Sequence, residues 1–175
     1  MEKLWTQDYI KAWTCNFLIF FAFMMVTPLL PLYMKESFGA DKHLIGIVLS
    51  GYTLMALFSR SIAGYLVDYL PRKAGLVVSW IAFSLFFAGY FITTSLVLFT
   101  IVRTLHGVPF ATTCVSNSTV AIDVTHTTRR AEGIGLYGLS NNLATATAPM
   151  VGLYIYEVCD SFSLIFGIAL GTALT

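Results

Sequence analysis

The sequence predicts an all-α membrane protein of six transmembrane helices, and three observations carry that prediction. Only 11% of the 175 residues are charged while 57% are hydrophobic; an ordinary soluble domain carries about 25% charged residues, so the chain lacks the polar side chains to cover a water-facing surface. Apolar stretches recur along its whole length, at 13–33, 44–67, 74–93, 96–120, 133–156 and 162–175, the first five long enough for the ~20 residues a span requires. The cations are sorted between alternate connections. A soluble enzyme, a nucleic-acid-binding module and a disordered tail are excluded, so the expected surroundings are lipid, with no nucleic-acid partner. The net charge of +1 carries no information about partners.

The first span holds Pro28 and Pro31 and follows a polar segment with Trp5 and Tyr9; its apolar run is longer than the 7–15 residues of a signal-peptide core, so it reads as a retained helix. Lys3 and Lys11 precede or open it, Arg72 and Lys73 follow the second span, and Arg129 and Arg130 follow the fourth, all on one side. The other side has Lys35 and Lys42, a third connection (Thr94, Ser95) without charge, and a fifth bearing Glu157 and Asp160. Cytoplasmic loops are enriched in Lys and Arg, which puts the amino terminus in the cytoplasm of a multi-pass protein of the cytoplasmic (inner) membrane. Tyr33, Tyr90, Tyr154 and Tyr156 then fall near the outer interface and Trp5, Trp13 and Tyr69 near the inner one. The sixth stretch offers 14 residues, or ~21 Å, short of a ~30 Å hydrocarbon core; the expectation is a truncated helix and a longer parent chain. Cys15, Cys114 and Cys159 form no C-x-x-C spacing and read as packing residues.

An internal echo suggests how the spans are organised. Gly46-Ile47-Val48-Leu49-Ser50-Gly51 opens the second span, and 87 residues later Gly133-Ile134-Gly135-Leu136-Tyr137-Gly138 opens the fifth, with four of six positions identical. One residue of slippage lays Ser61-Ile62-Ala63-Gly64 over Pro149-Met150-Val151-Gly152. A shift of three helices reverses the direction of crossing, so the expected arrangement is a 3+3 inverted repeat, as secondary transporters have.

After the second span the chain reads Gly64-Tyr65-Leu66-Val67-Asp68-Tyr69-Leu70-Pro71-Arg72-Lys73. This resembles the Gly-x-Leu-x-Asp-x-x-x-Arg-Lys signature of the major facilitator superfamily, in its expected cytoplasmic connection, with Pro71 where the family usually has glycine. Arg103-x-x-His106-Gly107 resembles the superfamily's Arg-x-x-x-Gly motif. Ala144-x-x-x-Ala148-Pro149-x-x-Gly152 resembles its Gly-x-x-x-Gly-Pro-x-x-Gly-Gly antiporter motif, with Ala144 and Ala148 for two glycines and Leu153 for the last. The resemblance covers all six spans and points to bacterial efflux-type permeases. It implies the first bundle of a twelve-helix fold, with a carboxyl-terminal six-helix half as partner and a small-molecule substrate moved by alternating access, protons being the candidate coupling ion.

The residues themselves allow a physical account of each motif. Asp68 lies beside the negative end of a helix dipole, where a carboxylate is disfavoured by several tenths of a kcal/mol, and Arg72 and Lys73 are its local counter-charges. Asp123 repeats the situation at the inner end of the fourth span, with Arg72, Arg129 and Arg130 in reach. Gly64, Asp68, Arg72, Lys73, Asp123 and Arg130 are thus the expected cytoplasmic gating latch. Arg103 lies ~10 Å inside the outer face, where an arginine costs ~2.5–3.5 kcal/mol on insertion scales. With His106, Gly107, Phe110, Cys114 and Asn117 it shares one helical face, read as cavity wall. His106 is either a proton carrier or a neutral hydrogen-bonded ring. Arg60, seven residues before Val67, either faces the cavity or snorkels. Asn16 on the first span and Asn141 and Asn142 on the fifth line the same pathway or act as interhelical glue. Ala144, Ala148 and Gly152 form a stripe for close contact, and Pro149 bends the helix to fit the facing bundle.

Apart from Asp68 and Asp123 the spans hold no carboxylate, so this part of the chain has no deep acidic proton carrier. The sequence has no G-x-x-x-x-G-K-[ST] phosphate loop, no metal-binding cluster and no cofactor motif. A polytopic membrane enzyme would group His, Asp or Glu near one interface, whereas His43, His106 and His126 are scattered; a structural or receptor-like protein has no need of two intramembrane arginines.

Overall fold

The computed structural model describes residues 3–69 and 71–175 and is helical almost throughout. Leu70, within the Gly64–Lys73 segment, lies outside the described residues, as do Met1 and Glu2. Helix α1 (Gln7–Val26) starts where the Thr6 hydroxyl accepts from the Tyr9 amide at 3.3 Å, satisfying one of the free amides of a helix start. Pro28 has no amide to donate, and α1 gives way there to a single 3-10 turn, Thr27–Leu29, before resuming as α2 (Leu30–Phe38). Gly39, at φ 64°, ends α2 by donating to the Lys35 carbonyl at 3.0 Å. The remaining helices are α3 (Lys42–Tyr69), α4 (Arg72–Phe91), α5 (Leu96–Asp123), α6 (Arg130–Cys159) and α7 (Phe162–Leu174). Ser95 and Ser161 cap α5 and α7 with their hydroxyls.

Among the described residues six helical rods therefore fill the places of the six predicted stretches, the first broken once at its prolines. Four of them, Gln7–Phe38, α3, α4 and α5, are long and apolar enough to cross a membrane. At 28 residues each, α3 and α5 reach ~42 Å, the thickness of the hydrocarbon plus the headgroup zones, which is why they outrun the purely apolar stretches. Helix α6 has 30 residues but is diluted by Ser140, Asn141, Asn142, Thr145 and Thr147, and α7 has 13.

Helix α5 is the centre of the bundle, against which α3, α4 and α1 pack; α1 packs in turn on α6 and α7, and α7 closes on α4. Close approach is bought by small residues, as in most membrane helix pairs. A Cβ on Gly107 would stand 2.8 Å from the Tyr52 carbonyl oxygen and 2.9 Å from the Ala56 amide of α3, and one on Gly152 would collide with the Met25 carbonyl of α1. Ala144 and Ala148 are buried on the same side of α6. Of the stripe expected for close contact, Gly152 lies directly against α1, and α6 runs on through Pro149 as one helix.

The glycines of the internal echo sit in unlike surroundings. Gly46 is open where Gly133 abuts Thr125; Gly51 touches Thr104 where Gly138 is open; Gly64 is open where Gly152 abuts α1. Sequence identity at these positions does not mark equivalent packing. The outside of the bundle is apolar, with Phe58, Ile62, Val78, Leu85, Val97 and Met150 all prominently exposed, as a hydrocarbon-facing surface requires.

Candidate functional site

Arg103 enters the bundle interior from the second turn of α5 and is sealed there, 1% exposed. Its Nη1 donates to the Tyr90 hydroxyl of α4 at 3.0 Å, and its Nη2 to Thr27 Oγ1, at the α1–α2 break, at 3.5 Å. The Thr27 hydroxyl passes its own proton to the Phe23 carbonyl at 2.8 Å. The guanidinium carbon stands 4.2 Å from the Tyr52 ring centre and 4.8 Å from that of Phe23, a desolvated cation–π sandwich. These rings and hydroxyls take the place of the carboxylate that the spans lack.

Tyr90 continues the chain. A guanidinium only donates, so the Tyr90 oxygen accepts from Arg103 and its single proton goes to His106 Nδ1 at 2.7 Å. That assignment leaves the imidazole proton on Nε2, which has no hydrogen-bond partner among the described residues. His106 is fully buried, stacked on Phe86 at 5.2 Å and flanked by Phe83 and Phe87 at 5.0 Å each. The stripe expected as cavity wall is internal in this conformation: Arg103, His106, Gly107, Phe110 and Asn117 are all buried, and only Cys114 is partly open. Tyr90, expected at the outer interface, is 1% exposed and joins the two basic groups.

A second polar network ties α1, α5 and α6 together nearer the amino-terminal end. Asn16 Nδ2 donates to Ser140 Oγ at 2.8 Å, the Tyr137 hydroxyl donates to Asn16 Oδ1 at 2.9 Å, and Asn117 Nδ2 donates to the Tyr137 oxygen at 2.9 Å and to the Ala12 carbonyl at 3.0 Å. Tyr9 and Trp13 extend it to the carbonyls of Gly133 and Leu136. In this conformation Asn16 and Asn117 join helices. Asn141 accepts from Thr145 at 3.2 Å on its own helix, and Asn142 is exposed.

At the cytoplasmic end predicted by the charge pattern, Arg72 of α4 spans two carboxylates. Its Nη1 is 3.7 Å from Asp68 Oδ1 of α3 and its Nε 3.3 Å from Asp123 Oδ2 of α5. Among the described residues Arg72 is the cation paired with Asp123; Arg129 binds Glu132 through two nitrogens at 2.8 and 2.9 Å. Among the described residues Lys73, Arg130 and Arg60 are exposed and make no ion pair, and Gly64 is partly open. Arg60 is on a different part of α3 from the Asp68 cluster, about two turns before it.

Tyr90, Tyr52, Phe23, Tyr137 and Ser140 escape a search for charges, because their aromatic and small-residue context matches ordinary span composition. One usable signal is that a buried arginine with no acid in any span demands hydroxyls and rings instead.

Apolar residues turned outward around a sealed polar centre define a polytopic helical membrane protein. Within that class, the chain belongs to the Major Facilitator Superfamily, whose family model matches residues 12–175. Among individual proteins it is similar to the staphylopine export protein of Staphylococcus aureus, 27% identical over 177 residues that cover 100% of this chain and 43% of that protein. It is 25% identical to the MFS-type transporter YqjV of Bacillus subtilis, over 87% of this chain and 38% of the relative, and 26% identical to the class B tetracycline resistance protein of Escherichia coli, over 77% and 34%. The matched region thus spans well under half the length of these relatives.

Proposed function

We propose that the chain is the amino-terminal six-helix bundle of a secondary active transporter of the cytoplasmic membrane, moving a small molecule by alternating access in the export direction, with protons as the coupling ion. The amino terminus is cytoplasmic, a second bundle completes the pathway, and each bundle is a 3+3 inverted repeat. The observation that carries the reading is the Asp68–Arg72–Asp123 bridge, which gathers the ends of α3, α4 and α5 through one guanidinium. Such a junction is made or broken when the helices it joins move relative to a facing bundle, which is what a cytoplasmic gate requires. The names of two relatives, a staphylopine exporter and a tetracycline resistance protein, support the export direction. The sealed Arg103–Tyr90–His106 chain holds the interior of the bundle together through the cycle.

The test is uptake into everted membrane vesicles that contain the full-length parent, with and without an uncoupler. Uncoupler-sensitive uptake that falls on Asp68→Asn is expected; transport indifferent to both removes the gate and the proton coupling together.

A further inference from the structure

Arg60 is an intramembrane cation to which, among the described residues, this bundle offers no ion pair or hydrogen bond. Asp68, at the cytoplasmic end of α3, lies eight residues further on, so Arg60 stands ~12 Å deeper along the helix axis, in a zone where an unpaired arginine is costly. It is exposed and, among the described residues, has neither ion pair nor hydrogen bond. Its direction follows from its neighbours. The buried side of α3 carries Tyr52, Ala56, Ser59, Ala63 and Val67; Gly51 on one flank touches Thr104 of α5, and Leu66 and Val67 near the end of the helix line an apolar groove toward α4. At 3.6 residues per turn, Arg60 falls on the flank opposite Gly51, and its charge reaches Tyr52 of its own helix and Cys114 of α5, which puts it over the seam between α3 and α5.

Helices α3 and α5 run side by side in the same direction, and their register is fixed at three heights: Gly51 meets Thr104, Ala56 meets Gly107, and Arg72 meets Asp123. By that register Cys114, on the α5 floor of the seam and partly open, is level with the turn of α3 that follows Arg60. Across the seam stand Phe20 of α1, edge-on to Phe110 at 5.6 Å, and Tyr137 of α6. No carboxylate of α1, α3, α5 or α6 lies at this depth.

We infer that Arg60 is an oxyanion-binding residue of the transport pathway, and that the substrate presents a carboxylate or phosphate to it. A guanidinium offers a planar fork of donors that matches either group bidentately, and the aromatic walls of the seam suit an apolar body attached to that anion. The inference rests on the transport reading for its pathway but not for its charge, and the two are tested apart.

The full-length protein is prepared with Cys114 as its one cysteine, and the rates of its modification by an anionic and a cationic methanethiosulfonate are compared. A unit charge roughly 7 Å away acts through water with about one RT, so it alters the ratio of rates for a −1 and a +1 reagent by about seven-fold. The anionic reagent is expected to be favoured with Arg60 or Arg60→Lys and to lose several-fold of that advantage in Arg60→Gln. Millimolar benzoate is expected to slow the modification, benzamide is not, and the difference should vanish in Arg60→Gln. An unchanged ratio, equal effects of benzoate and benzamide, or a Cys114 that reacts with neither reagent overturns the inference; the last two outcomes include a lipid-facing Arg60 and one already paired with a carboxylate elsewhere in the protein. Charge selectivity in a protein that fails every vesicle transport assay would instead remove the transport reading and leave the anion site standing.

Discussion

Replacing Tyr90 by phenylalanine removes the single hydroxyl on which both buried basic groups depend. Arg103 Nη1 loses a bond made by a charged donor, worth about 1.5–3 kcal/mol, and His106 Nδ1 is left unsatisfied at a cost of about 1–3 kcal/mol more. The rings of Phe23 and Tyr52 still hold the guanidinium from 4.8 and 4.2 Å, so Arg103 stays in place and the expected destabilisation is near about 3 kcal/mol. The decisive quantity is the coupling. In an Arg103→Met background the charged half of the loss is already gone, so Tyr90→Phe should cost about 2 kcal/mol less there. Neutral interhelical hydrogen bonds in a membrane bundle average only about 0.6 kcal/mol, so a coupling of this size marks a charge-assisted one. Reversible unfolding by SDS in mixed micelles, run on wild type, both single variants and the double variant, reads it directly. Additivity to within about 0.5 kcal/mol would show that the hydroxyl does not serve Arg103 and would refute the chain from Thr27 through Arg103 to His106.

The other expectations are simpler to score. Gly107→Ala puts a methyl against backbone of α3, which cannot swing aside, and should cost about 1–3 kcal/mol in the same unfolding assay, whereas Gly46→Ala meets open space and should be neutral or mildly stabilising through helix propensity. Asn117→Leu deletes the donors to Tyr137 and Ala12 and should lower stability by about 1 kcal/mol, with Asn142→Leu, on an exposed face, near zero. Arg72→Gln should leave the unfolding midpoint almost unchanged, since both its ion pairs are half-exposed and worth below about 1 kcal/mol each, yet change thiol accessibility at the Arg72 end of the full-length protein.

What could be seen in the sequence was what one-dimensional spacing controls. Hydropathy located the helical rods, and the Asp68–Arg72 spacing of four put a carboxylate and a guanidinium on one side of the short turn. The pairing of Arg72 with Asp123 was legible as a possibility, because three cations were in reach; the choice depends on how α3, α4 and α5 converge, which no local spacing encodes. The direction in which a span residue faces was the least legible property. The wheel grouped Arg103, His106, Phe110 and Asn117 correctly, but a polar stripe looks the same whether it faces water or its own bundle. Which applies is decided by complementary groups on other helices: Tyr90 and Thr27 for Arg103, Tyr137 and the Ala12 carbonyl for Asn117. Gly152 poses the same ambiguity, resolved by Met25 of α1 lying against it.

The weakness of the Arg72 bridge is consistent with its proposed office. Moving a two-state protein from 1:99 to 99:1 takes about 5.5 kcal/mol, and two half-exposed ion pairs supply at most about 2 kcal/mol between them. The bridge therefore biases the equilibrium by no more than about thirty-fold, and on the proposed transport reading the larger share falls to the cargo and the coupling ion. A fully buried pair costs about 3–5 kcal/mol to break and would hold the bundle in one state against most substrates. On this arithmetic Asp68→Asn, which removes one of the two pairs, should shift the inward-to-outward ratio by about five-fold or less. A hundred-fold shift in thiol accessibility would mean that Asp68 has a partner stronger than Arg72, and the place to look for it is the part of the protein that faces the open flank of α3.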